Sequence, residues 1–155
     1  MGYYLEAVVA AEPLLRTAAA GLPGAHVVPL RQGLALIPMT DELHDALTDP
    51  AAERLRPFRL LPHGFQHTLA AWSANGPVAY VEADIFGGTG DRYALAWTAG
   101  TLTLGPLTER TPTGPTTLSL ALRHLGATSD GHLDEFDAVG LGRHRRTEDW
   151  LTGND

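Results

Sequence analysis

Residues 80–97 read YVEADIFGGTGDRYALAW, and this stretch limits the fold more than any other. Two runs with strand-like alternation flank Gly87, Gly88 and Gly90. A phosphate cradle would need glycines at G-x-G-x-x-G spacing between a strand and a helix, so that backbone N–H groups converge on the anion. Here the spacing is G-G-x-G, no lysine is present, and Asp84 and Asp91 would repel phosphate. The run that follows, RYALAW, alternates as a strand does. The expectation is a turn or bulge whose glycines take positive φ and which reverses an antiparallel sheet.

Side chains two apart in a strand share a face. Tyr80, Glu82, Asp84 and Phe86 therefore line one side, and Val81, Ala83 and Ile85 the other. The second set reads as core. The first reads as facing away from the core, and two interpretations stay open. It is a plain solvent face, or it is a carboxylate pair at a pocket mouth that binds a cation, holds a partner's arginine, or does acid–base work. Neutralisation of Asp84 or Asp91 by Arg92 across the loop is an equal alternative.

The rest of the chain supplies both helices and strands. Residues 3–10 read as a strand, and AEPLLRTAAAG as a short helix with proline first and glycine last. AHVVPL and GLALIPM read as a hairpin, with Pro29 and Pro38 where an edge or a strand end tolerates them. Thr40 is an N-cap candidate, with Asp41 and Glu42 in the first turn behind it. Asn75-Gly76 and Ala99-Gly100 both read as hairpin turns, which makes residues 66–105 a four-strand meander. TGPTTLSLALRHLGA reads as a helix with Leu118, Leu122 and Leu125 apolar, stopped by Gly126. The fold class is α+β: one domain, residues 1–155, an antiparallel sheet packed by two or three helices.

Composition removes several functions. The formal charge is −7, so a non-specific nucleic-acid binder with a basic face is not expected. No run approaches the roughly 20 apolar residues of a membrane span. MGYYLEAVVAAEP has no positive n-region and carries Glu6 within its apolar run, so it does not read as a signal peptide; the cytoplasm is the expected compartment. Cysteine is absent, which removes disulfides and thiolate chemistry. All 11 basic residues are arginine, a bias that a GC-rich bacterial genome would impose. His63 and His67 stand four apart, but Gly64 occupies the place of a zincin's glutamate, so neither a metal nor another cofactor is expected. No G-x-S-x-G elbow is visible.

The tail GLGRHRRTEDW is the second unusual stretch. If it is helical, Arg145 and Asp149 stand four apart, as do Arg146 and Trp150. One reading is a terminal helix with Trp150 and Leu151 tucked onto the sheet. Another is a contact surface, since arginine and tryptophan are enriched in interface hot spots. A third pairs the tail's Arg143, His144 or Arg146 with Glu82 and Asp84.

Together, YVEADIFGGTGDRYALAW and DEFDAVGLGRHRRTEDW resemble small uncharacterised bacterial proteins that carry a strand, an F-G-G-x-G turn, a second strand and an acidic–basic tail. The resemblance covers roughly the C-terminal half. By analogy, some small acidic bacterial proteins of this build look like immunity proteins that plug a toxin's site. The first expectation is thus a small acidic interaction module for a basic toxin or enzyme partner, its contact residues being Glu82, Asp84, Gly87, Gly88, Gly90, Asp91, Arg143, His144, Arg146 and Trp150. The second is a small enzyme or ligand-binding protein whose carboxylate/arginine pocket lies at the glycine turn. A homodimer through a strand edge or the tail is a third.

Overall fold

The computed structural model describes residues 2–86, 89–110 and 116–151. Its centre is a six-stranded sheet of β1 (Gly2–Ala11), β2 (Val28–Pro29), β3 (Leu34–Pro38), β4 (Val78–Phe86), β5 (Thr89–Thr98) and β6 (Thr101–Glu109). The spatial order is β2-β3-β1-β4-β5-β6, and each neighbouring pair runs antiparallel. With the helices this makes an α+β domain, as the sequence predicts. Among the described residues no helix is long and apolar enough to cross a membrane.

Both faces of the sheet are covered. On one, Val8, Ala10, Ile37, Tyr80 and Leu95 pack against α1 (Glu12–Ala19), α2 (Asp41–Leu47), α3 (Phe65–Trp72) and the connection around Phe58 and Leu61. On the other, Leu5, Val9, Ala79, Val81, Ala94 and Ala96 pack against α4 (Thr117–His124), α5 (Glu135–Val139) and Trp150. Alanines on this second face let the Leu118 and Leu122 side of α4 approach the strands closely, as dense core packing requires. The expectation of a solvent face on β4 therefore fails for its upper part, because the 58–61 connection lies over it.

Local signals are obeyed where they act alone. Thr40 caps α2 by accepting from Leu43 N at 3.2 Å, and Thr116 caps α4 by accepting from Ser119 N at 3.2 Å. Ala99 and Gly100 take φ of 52° and 82°, the paired positive values of the tight turn that joins twisted strands. β4 and β5 pair from Val78↔Trp97 to Phe86↔Thr89, so the glycine segment does reverse the sheet. Gly90 has φ 145°, and a Cβ there would run into the backbone carbonyl of Asp84; only glycine permits this approach. Gly87 and Gly88 lie outside the described residues.

Three expectations are corrected. Residues 65–72 form α3 rather than a strand, so the meander has three strands, β4 to β6. Phe65 and Leu69 are buried one turn apart, a helical period that Ala70 and Ala71 obscure in the sequence. Asn75-Gly76 is consequently no hairpin turn; it ends a 3-10 turn over Ser73–Asn75 that leads from α3 into β4. Among the described residues five α-helices cover the sheet, where two or three were expected. The tail, finally, is not one helix. Arg146 is extended and forms an isolated parallel bridge with Tyr4, and a 3-10 turn over Thr147–Trp150 follows. Trp150 is buried as expected, whereas Leu151 is exposed.

Candidate functional site

The inner rows of the sheet change character along β4. Val8, Tyr80 and Leu95 stand side by side on β1, β4 and β5; the next row on the same face is Glu6, Glu82 and Tyr93; the next is Tyr4, Asp84 and Asp91. An oily face thus becomes a charged one within two residues of strand. The connection carrying Phe58 and Arg59 lies over this boundary. Phe58 meets the rings of Tyr80 and Tyr93 edge-on, at centroid distances of 5.6 and 6.0 Å.

Glu82 is 3% exposed, and its carboxylate is fully engaged. It accepts from Arg59 N at 2.8 Å, Leu60 N at 2.7 Å and the Tyr80 hydroxyl at 2.8 Å. Two successive backbone N–H groups converging on one carboxylate repay its burial. Glu82 therefore acts as a clamp that holds the connection to the sheet, rather than as the outward-facing acid expected from alternation. Asp84, one row on, is exposed and paired with the Arg59 guanidinium at 2.9 Å. The same guanidinium donates to the Tyr4 hydroxyl at 2.7 Å.

Glu6 completes the row. It is 2% exposed and stands directly across from Glu82. Its Oε1 accepts from the Thr147 hydroxyl at 3.0 Å, while its own N–H donates to the same hydroxyl oxygen at 3.0 Å. Burial pushes the Glu6 carboxyl up from 4.5 to about 7; hydrogen bonds from Tyr4 and Thr147 oppose the rise and the Glu82 charge adds to it. Burial, helped by the Glu6 carboxyl, likewise pushes the Tyr4 hydroxyl up to about 12. A cavity of about 10 Å³ lies among Glu6, Arg59, Glu82, Asp84, Asp91 and Tyr93, which is the room one water needs. No organic substrate fits there. Among the described residues no group of three or more His, Asp or Glu is placed to hold a metal ion.

The other predicted residues fall into separate places. Asp91 pairs with Arg110 at 2.9 Å, not with Arg92. Odd and even positions of β5 face opposite ways, so Arg92 points to the other side, where it donates to the carbonyls of Gly90 and Arg110. Arg143 donates to Pro29 O at 2.8 Å and lies 5.3 Å over the Trp150 ring, which His144 meets edge-on at 4.6 Å. Trp150 belongs to the core on the face opposite Glu82. The partners of Glu82 and Asp84 thus come from the 58–61 connection and from Tyr80, where the sequence suggested the tail. Of the three tail residues expected to meet Asp84, Arg146 shares a lining with it: with Arg145, Tyr4, Gly2 and Phe86, the two line a groove of about 230 Å³. A concavity of about 660 Å³ between α1 and α3 is lined by Leu14, Ala18 and Trp72 among others and by no ionisable group.

Sequence reasoning missed Tyr4, Glu6, Arg59 and Thr147. Glu6 did carry a signal, since a lone acid within an otherwise apolar strand must be exposed or satisfied inside. Arg59 carried none. Comparison with known proteins finds no matching family model, no matching curated protein and no matching solved structure.

Proposed function

We propose that this chain is a small bacterial interaction module of the cytoplasm, of the immunity type, that binds a basic protein partner. The observation that carries this reading is the distribution of uncompensated charge. The acids at the glycine turn, which first suggested the idea, are engaged inside the fold: Glu82 by backbone N–H groups and Tyr80, Asp84 by Arg59, Asp91 by Arg110. The exposed carboxylates of Asp41, Glu42, Asp45, Asp49 and Glu53 have no arginine partner among the described residues, and residues 32–53 contain no arginine or lysine. The field of a chain with net charge −7 therefore emerges around α2 and the connection after it. Such a field speeds encounter with a basic surface and suppresses acidic competitors.

The test is co-purification, followed by titration of the captured partner at low and high salt. Association should slow with salt, and the triple variant D41N/E42Q/D45N should slow it about tenfold at low salt, within the range of electrostatic steering. Failure to capture a partner, or an affinity indifferent to salt, counts against the reading. The groove shared by Asp84 and Arg146 favours a second reading, a ligand site at the turn end of the sheet. Acid–base catalysis by Glu82 has less support, because its oxygens are occupied and the adjoining cavity is water-sized.

A further inference from the structure

We propose that the groove between Tyr4, Phe86, Arg145 and Arg146 binds a small aryl oxyanion, a carboxylate or phosphate carried on an aromatic ring; this rests on the second reading above and supplies its ligand class.

The groove is built by pairing rather than by loose side chains. Tyr4 N donates to Arg145 O at 2.7 Å, and Tyr4 and Arg146 form a parallel bridge. The buried Thr147 hydroxyl exchanges hydrogen bonds with Glu6 immediately afterwards. The backbone of 145–147 is thereby fixed along the lower part of β1, where β3 no longer pairs, since the β1–β3 register runs only from Ala7 to Ala11.

The charge balance in the groove is positive. Asp84 is the acid that lines it, and the Arg59 guanidinium already pairs with that carboxylate. Arg145 makes one long contact, 3.5 Å, to Gly2 O. The Arg146 guanidinium has no partner among the described residues. The guanidiniums of two successive residues, both lining the groove, are thus left without a carboxylate partner among the described residues, on a chain whose net charge is −7. Planar N–H forks match the geometry of carboxylate and phosphate oxygens. A cation would be repelled by them.

The ring follows from the walls. Phe86 is 73% exposed at the end of β4 and lines the groove; Tyr4 lines it too, with the Arg59 guanidinium 5.5 Å over its ring. An exposed aromatic side chain beside an anion site gives the ligand's body an apolar surface. At about 230 Å³ the groove is below the roughly 300 Å³ at which drug-sized sites begin, which suits one ring with one anionic group.

The test is amide-resolved NMR titration of the whole chain with inorganic phosphate, phenyl phosphate, benzoate and, as the cationic control, benzamidine. The expected result is saturable shifts confined to residues 2–4, 84–86 and 145–146. Phenyl phosphate should bind about tenfold tighter than phosphate, and R145Q/R146Q should weaken it by at least about tenfold, one step of 1.4 kcal/mol. Phe86→Ala should remove the preference for the aryl ester. The stronger of the two aryl probes identifies which oxyanion the site takes. If R145Q/R146Q leaves affinity unchanged, or if benzamidine alone shifts these residues, the anion class is overturned while the groove remains a ligand site. Loss of the aryl preference in the wild type overturns the ring. If no probe shifts these residues, both the inference and the second reading fall.

Discussion

Glu6 and Glu82 face each other across β1 and β4, both almost wholly buried, yet their oxygens meet different fates. Glu82 collects two backbone N–H groups and a tyrosine hydroxyl. Glu6 gathers the Thr147 hydroxyl on Oε1 and the repulsion of its neighbour. One acid serves as a clamp on the covering connection; the other holds its proton up to near-neutral pH.

Stability should therefore fall as pH rises through the window set by Glu6. Its carboxyl titrates at about 7 in the folded chain and 4.5 in the unfolded reference. Between those values the folded state binds more protons, so the slope of stability against pH is negative there. The cost is absent below the lower value and complete above the upper one, on the order of 3 kcal/mol at 1.36 kcal/mol per pH unit. Glu6→Gln keeps an oxygen for Thr147 and carries no charge. Urea unfolding from about pH 5 to pH 8 should show the wild type losing stability while E6Q stays nearly level. Parallel profiles would refute the assignment.

Glu82→Ala should be severe. It strands Arg59 N, Leu60 N and the Tyr80 hydroxyl without their acceptor, and unsatisfied buried donors cost about 1–3 kcal/mol each. A loss of roughly 3 kcal/mol or more in urea is expected, with faster hydrogen exchange at the Arg59 and Leu60 amides. Exchange unchanged at both would show that the connection is held by Phe58 packing instead.

Thr147→Val removes a hydroxyl that receives from Glu6 N and donates to Glu6 Oε1. The expected loss is about 1–3 kcal/mol. The Tyr4 amide, bonded to Arg145 O at 2.7 Å, should exchange faster as the tail loosens. Thr147→Ser should restore most of both readouts. If serine behaves like valine, the methyl group's packing matters and the hydroxyl does not.

Gly90→Ala and Gly100→Ala should separate by size. Both positions have positive φ, but a Cβ on Gly90 collides with the Asp84 carbonyl, and one on Gly100 meets nothing within 4 Å. Alanine at Gly100 then costs about 1 kcal/mol of backbone strain. At Gly90 it adds displacement of the β4–β5 pairing, for about 3 kcal/mol or more. Equal thermal shifts would contradict the close strand approach.

The parts of this fold that were legible in advance are governed by neighbours in the chain. The Thr40 cap, the Ala99-Gly100 turn and the reversal at the glycine segment each need only a few consecutive residues. α3 was misread because Asn75-Gly76 carries a strong hairpin signature and the unbroken apolar run from Leu69 to Trp72 hides the helical period; the burial of Phe65 and Leu69 decided it. The site was half legible. Alternation put Glu82 and Asp84 on one face correctly, but Glu82 is covered by a segment more than 20 residues earlier, and no local rule brings that segment there. Arg59 and Arg110 supplant Arg92 for the same reason: strand register and face decide which charges meet.

The parallel bridge at Tyr4 has a temporal corollary. Residues 145–147 leave the ribosome after every strand of the sheet, so the lower margin of β1 waits, bare, until they emerge. The sheet's first strand is thus sealed by a segment that follows all the others, and the seam that fixes Glu6 can close only once synthesis has passed Thr147.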